Sequence, residues 1–289
     1  MKKQKKLKVA ILGTGNIGTD LLIKALRSDF LDCVLFVGRN MASRGVSKAL
    51  SLGVNVSNQS ISAIKKNHEN IDLVFDCTSA RDASKHWEIL EPLNIKVIDM
   101  TPAKLGGFCV PAVNLSSVTK LNNINMITCG GQASIPMAYV LGQTQKNIEY
   151  IEVVSSIASK SAGPATRLNL DEYIDTTENG IKNFANVKNA KAILNLNPAD
   201  PCIDMQTTIY AELKDPDMVK LNSEIEKMVK LIQTYVPGYN LVIPPTYENG
   251  KVNILVKVSG LGDYLPKYAG NLDIINCAAI AVAEKISKS

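Results

Sequence analysis

Residues 7–18 read Leu7-Lys8-Val9-Ala10-Ile11-Leu12-Gly13-Thr14-Gly15-Asn16-Ile17-Gly18, an apolar run that closes on glycines spaced G-x-G-x-x-G. The short stretch Lys8–Leu12, bounded by glycine, predicts a strand. Thr19–Arg27 carries Leu22, Ile23 and Leu26 at helical spacing and predicts a helix. Strand, glycine turn and helix in that order open a βαβ unit.

Each glycine has a separate physical task. Gly13 permits the tight turn, Gly15 lets the backbone approach a pyrophosphate, and Gly18 lets the helix pack on the strand. A phosphate then meets the helix N-terminus, where free N–H groups and the helix dipole favour an anion. The pattern therefore predicts a dinucleotide site at Gly13, Thr14, Gly15, Asn16, Ile17 and Gly18. An acidic residue about 20 positions on usually holds a ribose 2′-hydroxyl. Here the second strand, Cys33–Val37, runs into Gly38-Arg39-Asn40-Met41-Ala42-Ser43-Arg44, with no carboxylate. Arg39, Ser43 and Arg44 suit a 2′-phosphate, with Arg39 stacked on the adenine. The residues lean to NADP and leave NAD open.

Working outward, Leu73–Cys77 and Val97–Met100 read as further strands, with a helix at Ala83–Glu91 stopped by Pro92. Alternation of this kind predicts an α/β fold with a Rossmann-type doubly wound parallel sheet. Beyond Cys129 the order becomes mixed. A helix is expected at Ser134–Leu141, capped by Ser134, and a long strand at Ile148–Ala158. The loop Ser159–Arg167, a helix at Asn169–Val187, strands at Ala192–Leu196 and Ile203–Leu213, and an amphipathic helix at Met218–Tyr235 follow. Asn249-Gly250 marks a hairpin between Leu241–Thr246 and Lys251–Ser259. The expected division is a dinucleotide-binding domain over 1–130, completed by a C-terminal helix within 266–289, and an α+β catalytic and dimerisation domain over 131–265.

The composition of the 289 residues narrows the function classes. Apolar residues are 46% and charged residues 20%, the balance of a globular chain. No run approaches the roughly 18–20 apolar residues of a membrane span. The start lacks a signal-peptide core, so a cytoplasmic protein is expected. Of the net charge of +5, much sits in Lys2, Lys3, Lys5, Lys6 and Lys8, read as a solvated tail. The remainder is nearly neutral and poor in aromatic residues, which argues against a nucleic-acid partner. Six scattered cysteines without a CxxC pair are not metal-ligand spacing, and no metal is expected.

One cysteine has a distinctive setting, Met126-Ile127-Thr128-Cys129-Gly130-Gly131-Gln132. Read as the end of a strand over Asn123–Thr128, before a helix N-terminus, Cys129 is placed where a thiolate is stabilised. Gly130 and Gly131 are expected to leave N–H groups for an oxyanion. Beside a nicotinamide site this suggests aldehyde oxidation through a thioester. Cys77 also ends a strand and competes, but no glycines follow it. Cys109 reads as packing, and His68 and His86 fall in helices expected at the surface.

These segments resemble the acylating acetaldehyde dehydrogenases, the partners of 4-hydroxy-2-oxovalerate aldolases in bacterial aromatic degradation. The similarity is carried by GTGNIGTDL, VFDCTSA, IDMTPA, CVPAVNL, NMITCGGQASIPM, SSIASKSAGPATRLNLDEY, YVPGY and YLPKYAGNLDI, in order along the chain. The resemblance implies that Cys129 forms the acyl thioester and that coenzyme A resolves it. It implies cofactor contacts at Thr14, Gly15, Asn16 and Ile17. A second set is Ser161, Ala162, Gly163, Pro164, Ala165, Thr166, Arg167, Leu168 and Asn169, with Asn271. A homodimer and an aldolase-type partner are implied as well. The chain departs from the family pattern at Asn40, where an acidic residue is usual. It departs again at Thr207, where an aspartate serves the cysteine. Asp204 belongs to the opposite face of a regular strand. The segment between Tyr239 and Lys251 is also shorter than is usual. Two alternatives stand beside an acetaldehyde enzyme: a non-catalytic dinucleotide-binding subunit of an aldolase complex, and a dehydrogenase for a different, biosynthetic aldehyde.

Overall fold

A computed structural model describes residues 5–289, Ala165 by its backbone alone. In chain order the elements are β1 (Leu7–Leu12), α1 (Asn16–Arg27), β2 (Leu31–Val37), α2 (Arg44–Ser51), β3 (Val56–Ser57) and α3 (Ile61–Lys66). Next come β4 (Leu73–Asp76), α4 (Ala80–Leu90), β5 (Lys96–Asp99), β6 (Gly107–Phe108), α5 (Pro111–Val118) and β7 (Asn123–Asn125). The chain continues through α6 (Cys129–Thr144), β8 (Tyr150–Ala158), α7 (Pro164–Leu168), α8 (Leu170–Ala185), β9 (Ala190–Asn197) and β10 (Met205–Glu212). It ends with α9 (Met218–Gln233), β11 (Tyr239–Glu248), β12 (Lys251–Val258) and α10 (Gly270–Ser287).

Two compact units result. The first comprises residues 1–109, 114–126 and 276–289, and the second residues 110–113 and 127–275. Cys129 and Gly130 therefore lie in the second unit, and α10 is shared between them by sequence.

The first unit is a parallel sheet in the order β3-β2-β1-β4-β5-β7-β6. The order reverses beside β1, and in such sheets ligands bind beyond the carboxyl ends of the strands at that reversal. The glycine turn sits there because it follows β1 directly. Parallel strands are covered on both faces, so they read as continuous apolar runs rather than alternating ones. Val9, Ala10, Ile11, Leu12, Val74 and Ile98 are accordingly buried. Each fully buried Leu or Ile contributes about 1.5–3 kcal/mol.

Within this unit Asn276 of α10 donates to the Ile17 carbonyl (3.1 Å) and to Asp20 Oδ2 (2.9 Å). Asp20 is in turn paired with Lys24 Nζ at 2.7 Å, and both side chains are buried. Of the lysine-rich start, Lys2 and Lys3 lie outside the described residues. Lys6 donates to the Ser28 carbonyl at 3.1 Å and Lys8 belongs to β1, so the run is not wholly a solvated tail. No helix among the described residues is long and apolar enough to cross a membrane.

The second unit is a five-stranded sheet, order β11-β12-β10-β8-β9, antiparallel except for β8 and β9. Asn249 (φ 51°) and Gly250 (φ 79°) make the expected hairpin turn between β11 and β12. One face of the sheet is buried, as Met205, Thr207, Ile209 and Ala211 alternate inward along β10. Helices α6 and α8 pack within the same unit. A Cβ on Gly142 would stand 2.3 Å from the Ala185 carbonyl, and one on Gly180 would stand 2.7 Å from Ile135 Cδ1, so the glycines set the closeness of that contact.

Candidate active site

The glycine turn has the geometry its sequence implies. Gly13 adopts φ +117°, a region costly for any side chain, and a Cβ there would lie 2.6 Å from the Cys77 carbonyl. A Cβ on Gly18 would meet the Gly13 carbonyl at 1.9 Å, whereas one on Gly15 would meet nothing within 4 Å. Gly15 is thus open on its Cα side and caps α1 without a side-chain hydrogen bond. The first N–H groups of α1 have no side-chain acceptor, the arrangement an anion completes.

Around the turn, Ser43 Oγ caps α2 through Val46 N and donates to Thr14 Oγ1 at 3.1 Å. Gly38 leaves room for Thr14, whose Cγ2 would lie 2.5 Å from a Cβ placed there. Asn40 Oδ1 accepts from Ala42 N at 2.9 Å. Arg39 is 80% exposed at its side chain, 3.8 Å from Asp82 Oδ2, and Arg44 is exposed.

Beneath the strand ends of the same unit lies a buried cluster. His86 is 8% exposed, with Nδ1 2.7 Å from Asp76 Oδ2, and so is not the surface residue expected. The inner face of α4 carries it along with Ala83 and Leu90. Cys77 follows Asp76, and its thiol is pushed well up by burial and by the carboxyls of Asp76 and Asp99. Two acidic neighbours oppose a thiolate there, a setting that Cys129 does not share. Cys109 is buried and pushed up to about 12 by desolvation, in keeping with a packing role.

In the second unit the neighbourhood of Cys129 differs from expectation in three ways. The strand ends at Asn125, and Ile127 takes φ +63°. Thr128 then caps α6, its Oγ1 accepting from Gly131 N at 2.8 Å. Cys129 is thus the first residue of the helix. Ser134 is not its cap but lies inside it, donating to the Gly130 carbonyl at 2.7 Å, and Pro136 is internal. A threonine three residues before a glycine N–H is a cap signal that the paired glycines disguised as a turn.

The second difference concerns the glycines. Gly131 N–H is consumed by the cap and does not serve an oxyanion. The N–H groups of Cys129 and Gly130 act on the Cys129 sulfur instead and pull its pKa down. The glycines are required by contact: a Cβ on Gly130 would stand 2.1 Å from Tyr173 Oη, and one on Gly131 2.8 Å from Ile127 Cγ2.

Third, the thiol is raised rather than lowered. Burial pushes the Cys129 pKa up and outweighs the hydrogen bonds from Tyr173 and the two backbone N–H groups, which pull it down. The helix end softens a desolvation cost it does not overcome.

Behind the sulfur, Cys129 Sγ lies 3.7 Å from Tyr173 Oη. Ser155 Oγ lies beside the Tyr173 hydroxyl at Gly130, and it is 3.0 Å from Thr207 Oγ1. Thr207, at the position of the family's aspartate, therefore connects to the cysteine through two side chains that the sequence reading missed. The signal was present along α8, where Tyr173, Thr176, Thr177 and Gly180 form a polar buried face at helical spacing. Asp204 precedes β10, where its Oδ2 accepts from Ser259 Oγ at 2.7 Å and lies 3.9 Å from Lys257 Nζ.

The segment 161–169 is a turn followed by α7 rather than an open loop. Ser161 is buried and donates to the Ala158 carbonyl at 2.8 Å. Arg167 closes the segment on itself, Nε to the Ala162 carbonyl and Nη2 to Ser159 Oγ at 3.0 Å. Gly163 is open to space, and Leu168 is 82% exposed. Asn271, in α10, is 1% exposed, and neither polar atom of its amide has a partner among the described residues. A buried amide of this kind is costly unless something outside the chain completes it.

Comparison with known proteins places this geometry. The fold is that of the semialdehyde dehydrogenases. Aspartate semialdehyde dehydrogenase II of Vibrio cholerae, solved in complex with ASA, superposes with a TM-score of 0.61 at 15% identity, covering 98% of each chain. Residues 8–118 match the semialdehyde dehydrogenase NAD binding domain, so the first unit is an NAD-binding domain. Residues 129–266 match the dimerisation domain of prokaryotic acetaldehyde dehydrogenase. The acetaldehyde dehydrogenase of Spirochaeta aurantia is 60% identical over 99% of this chain and 96% of its own. That of Pectobacterium atrosepticum is 57% identical over 98% and 96%. That of Burkholderia thailandensis is 49% identical over 97% and 95%. The chain belongs to the acylating acetaldehyde dehydrogenase family, which sets it among the oxidoreductases that act on aldehydes and against the alternative of a non-catalytic subunit.

Proposed function

We propose that the protein converts acetaldehyde, or another short aldehyde, and coenzyme A to the acyl-CoA through a thioester on Cys129. The observation that carries this reading is the placement of Cys129 as the first residue of α6. Two backbone N–H groups and the Tyr173 hydroxyl all address its sulfur.

The glycine turn fits a nicotinamide dinucleotide, because Gly15 is open and the N-terminus of α1 lacks a side-chain cap. Residues Gly13 to Gly18 would cradle its pyrophosphate. On the family resemblance, residues 161–169 and Asn271, whose amide has no partner among the described residues, are further cofactor contacts. When bound, the cofactor supplies the hydride acceptor that makes the reaction an oxidation. Arg39, exposed beside Asn40, and Ser43 and Arg44 suit a 2′-phosphate, which leans the reading to NADP and leaves NAD open.

The chain's own part is nucleophilic. The Cys129 thiolate, its charge held by the N–H groups at the start of α6, adds to the aldehyde carbon. After oxidation the acyl group rests on Cys129 as a thioester. Attack by the coenzyme A thiol transfers the acyl group and returns the thiolate, so the cysteine ends as it began.

The match to a dimerisation domain supports a homodimer formed through the second unit. An aldolase that supplies the aldehyde is a further expected partner, on the family resemblance. The test mixes purified protein with acetaldehyde, coenzyme A and either NAD or NADP, and follows the absorbance of the reduced cofactor beside Cys129→Ala. Turnover that needs coenzyme A and is lost in the variant supports the reading. Binding of either cofactor without turnover would sink the acetaldehyde assignment.

A further inference from the structure

Cys129, Tyr173, Ser155 and Thr207 come from α6, α8, β8 and β10 and meet in one buried spot of the second unit. Tyr173 is 7% exposed, Ser155 2% and Thr207 1%. Ser155 and Thr207 are direct partners across β8 and β10, which fixes their hydroxyls 3.0 Å apart. Ser155 Oγ and Tyr173 Oη both lie beside Gly130, 3.1 and 2.1 Å from where a Cβ would stand, and Oη sits 3.7 Å from the cysteine sulfur. The absence of a side chain at Gly130 is what admits the phenol, since a Cβ there would overlap it at 2.1 Å.

We propose that Tyr173 is a catalytic residue that donates its hydroxyl proton in a hydrogen bond to the Cys129 thiolate, held in that orientation by Ser155 and Thr207. The inference rests on the assignment of Cys129 as nucleophile and deepens it. With Ser155 donating to Oη, the phenolic hydrogen is free for the sulfur, and Thr207 can donate to Ser155 in turn. Hydroxyls aligned this way polarise one another in a low-dielectric interior.

The polarity of the chain suits a neutral residue at position 207. An aspartate there could take a proton, which a threonine cannot, so the residue at 207 is left to hydrogen bonding alone. The thiol proton leaves to solvent, the electron pair stays on sulfur, and the phenol keeps its own proton. The phenol is suited to this because burial and the nearby cysteine push its ionisation well up.

The test is the pH dependence of Cys129 alkylation by iodoacetamide in the full chain, read by mass spectrometry. The wild type, Tyr173→Phe and Ser155→Ala are compared, with Cys129→Ala as the baseline. Removing one hydrogen bond to a charged group is expected to slow alkylation at neutral pH by about 10- to 100-fold in Tyr173→Phe. The midpoint of the profile should move upward, and Ser155→Ala should move it the same way by less. A folded Tyr173→Phe with an unmoved midpoint overturns the proposal and leaves the nucleophile assignment standing. Should Tyr173→Phe not fold, unmoved midpoints in Ser155→Ala and Thr207→Val overturn it equally. A wild-type Cys129 that resists alkylation across the range sinks the nucleophile assignment, and the role of Tyr173 with it.

Discussion

Asp76 and Asp99 are direct partners on adjacent parallel strands, β4 and β5, and both are buried. Their environments divide them. Asp76 Oδ2 lies 2.7 Å from His86 Nδ1, while the Asp99 carboxyl accepts, among the described residues, from Thr101 N, Thr101 Oγ1 and Asn125 Nδ2.

Burial first, and the Asp76 charge second, push the Asp99 carboxyl from 3.8 up to about 7. Between those values the folded protein holds a proton that the unfolded chain has released. Stability therefore falls as pH rises from about 4 to about 7 and levels above that. Asp99→Asn keeps the size of the group and removes the titration. Thermal melts across that range should lose the slope and lie above wild type at pH 8; an unchanged slope would exclude Asp99 as its source.

The two outer consequences of the glycine turn separate by substitution. Gly15→Ala adds a methyl group that meets nothing in the chain, so its melting temperature should stay within a few degrees of wild type while dinucleotide binding weakens at least tenfold. Gly18→Ala drives a Cβ into the Gly13 carbonyl and should cost about 1–3 kcal/mol of stability. Melting curves and cofactor titration on both variants check this. Equal binding in Gly15→Ala and wild type would show that the phosphates lie elsewhere.

Gly130→Ala places a methyl group against the Tyr173 hydroxyl. The phenol must rotate away or α6 must shift, so turnover should fall by more than tenfold while dinucleotide affinity holds. Steady-state kinetics beside cofactor titration measure the two. Full activity in this variant would mean that the phenol has room the structure does not show.

Alkaline stability should also be limited. Cys33 and Cys109 are pushed up to about 12, mainly by burial, and stay protonated in the folded chain where unfolded thiols ionise. The unfolded state then binds fewer protons, and stability declines from about pH 9 upward. Denaturant melts at pH 8 and 10 should show the drop, reduced in Cys33→Ala.

The parallel sheet was legible because strand-turn-helix repeats impose periods that a single segment displays. Helices α2, α3 and α5 are short, and their few turns carry too little periodicity to stand out. His86 was misplaced for a related reason. It shares the buried spacing of Ala83 and Leu90 in α4, but Asp76, the partner that holds a histidine there, lies on a separate strand. The start of α6 was hidden because Thr128 makes its cap with a glycine N–H, and glycine pairs read locally as a turn. At the candidate site, Cys129 announced itself through its neighbours in sequence. Ser155 did not, since the register of β8 against β10 is what sets it beside Thr207, and Tyr173 joins them from α8. Register is a property of the folded sheet rather than of any one strand.

Helix α10 gives its residues up to Ile275 to the second unit and its remainder to the first. The glycine turn is translated early, yet the segment that holds Ile17 and Asp20 through Asn276 follows only after the whole of the second unit. The dinucleotide-binding half therefore finishes folding only once its neighbour has been made. A fragment ending at residue 126 should need the 276–289 segment supplied in trans.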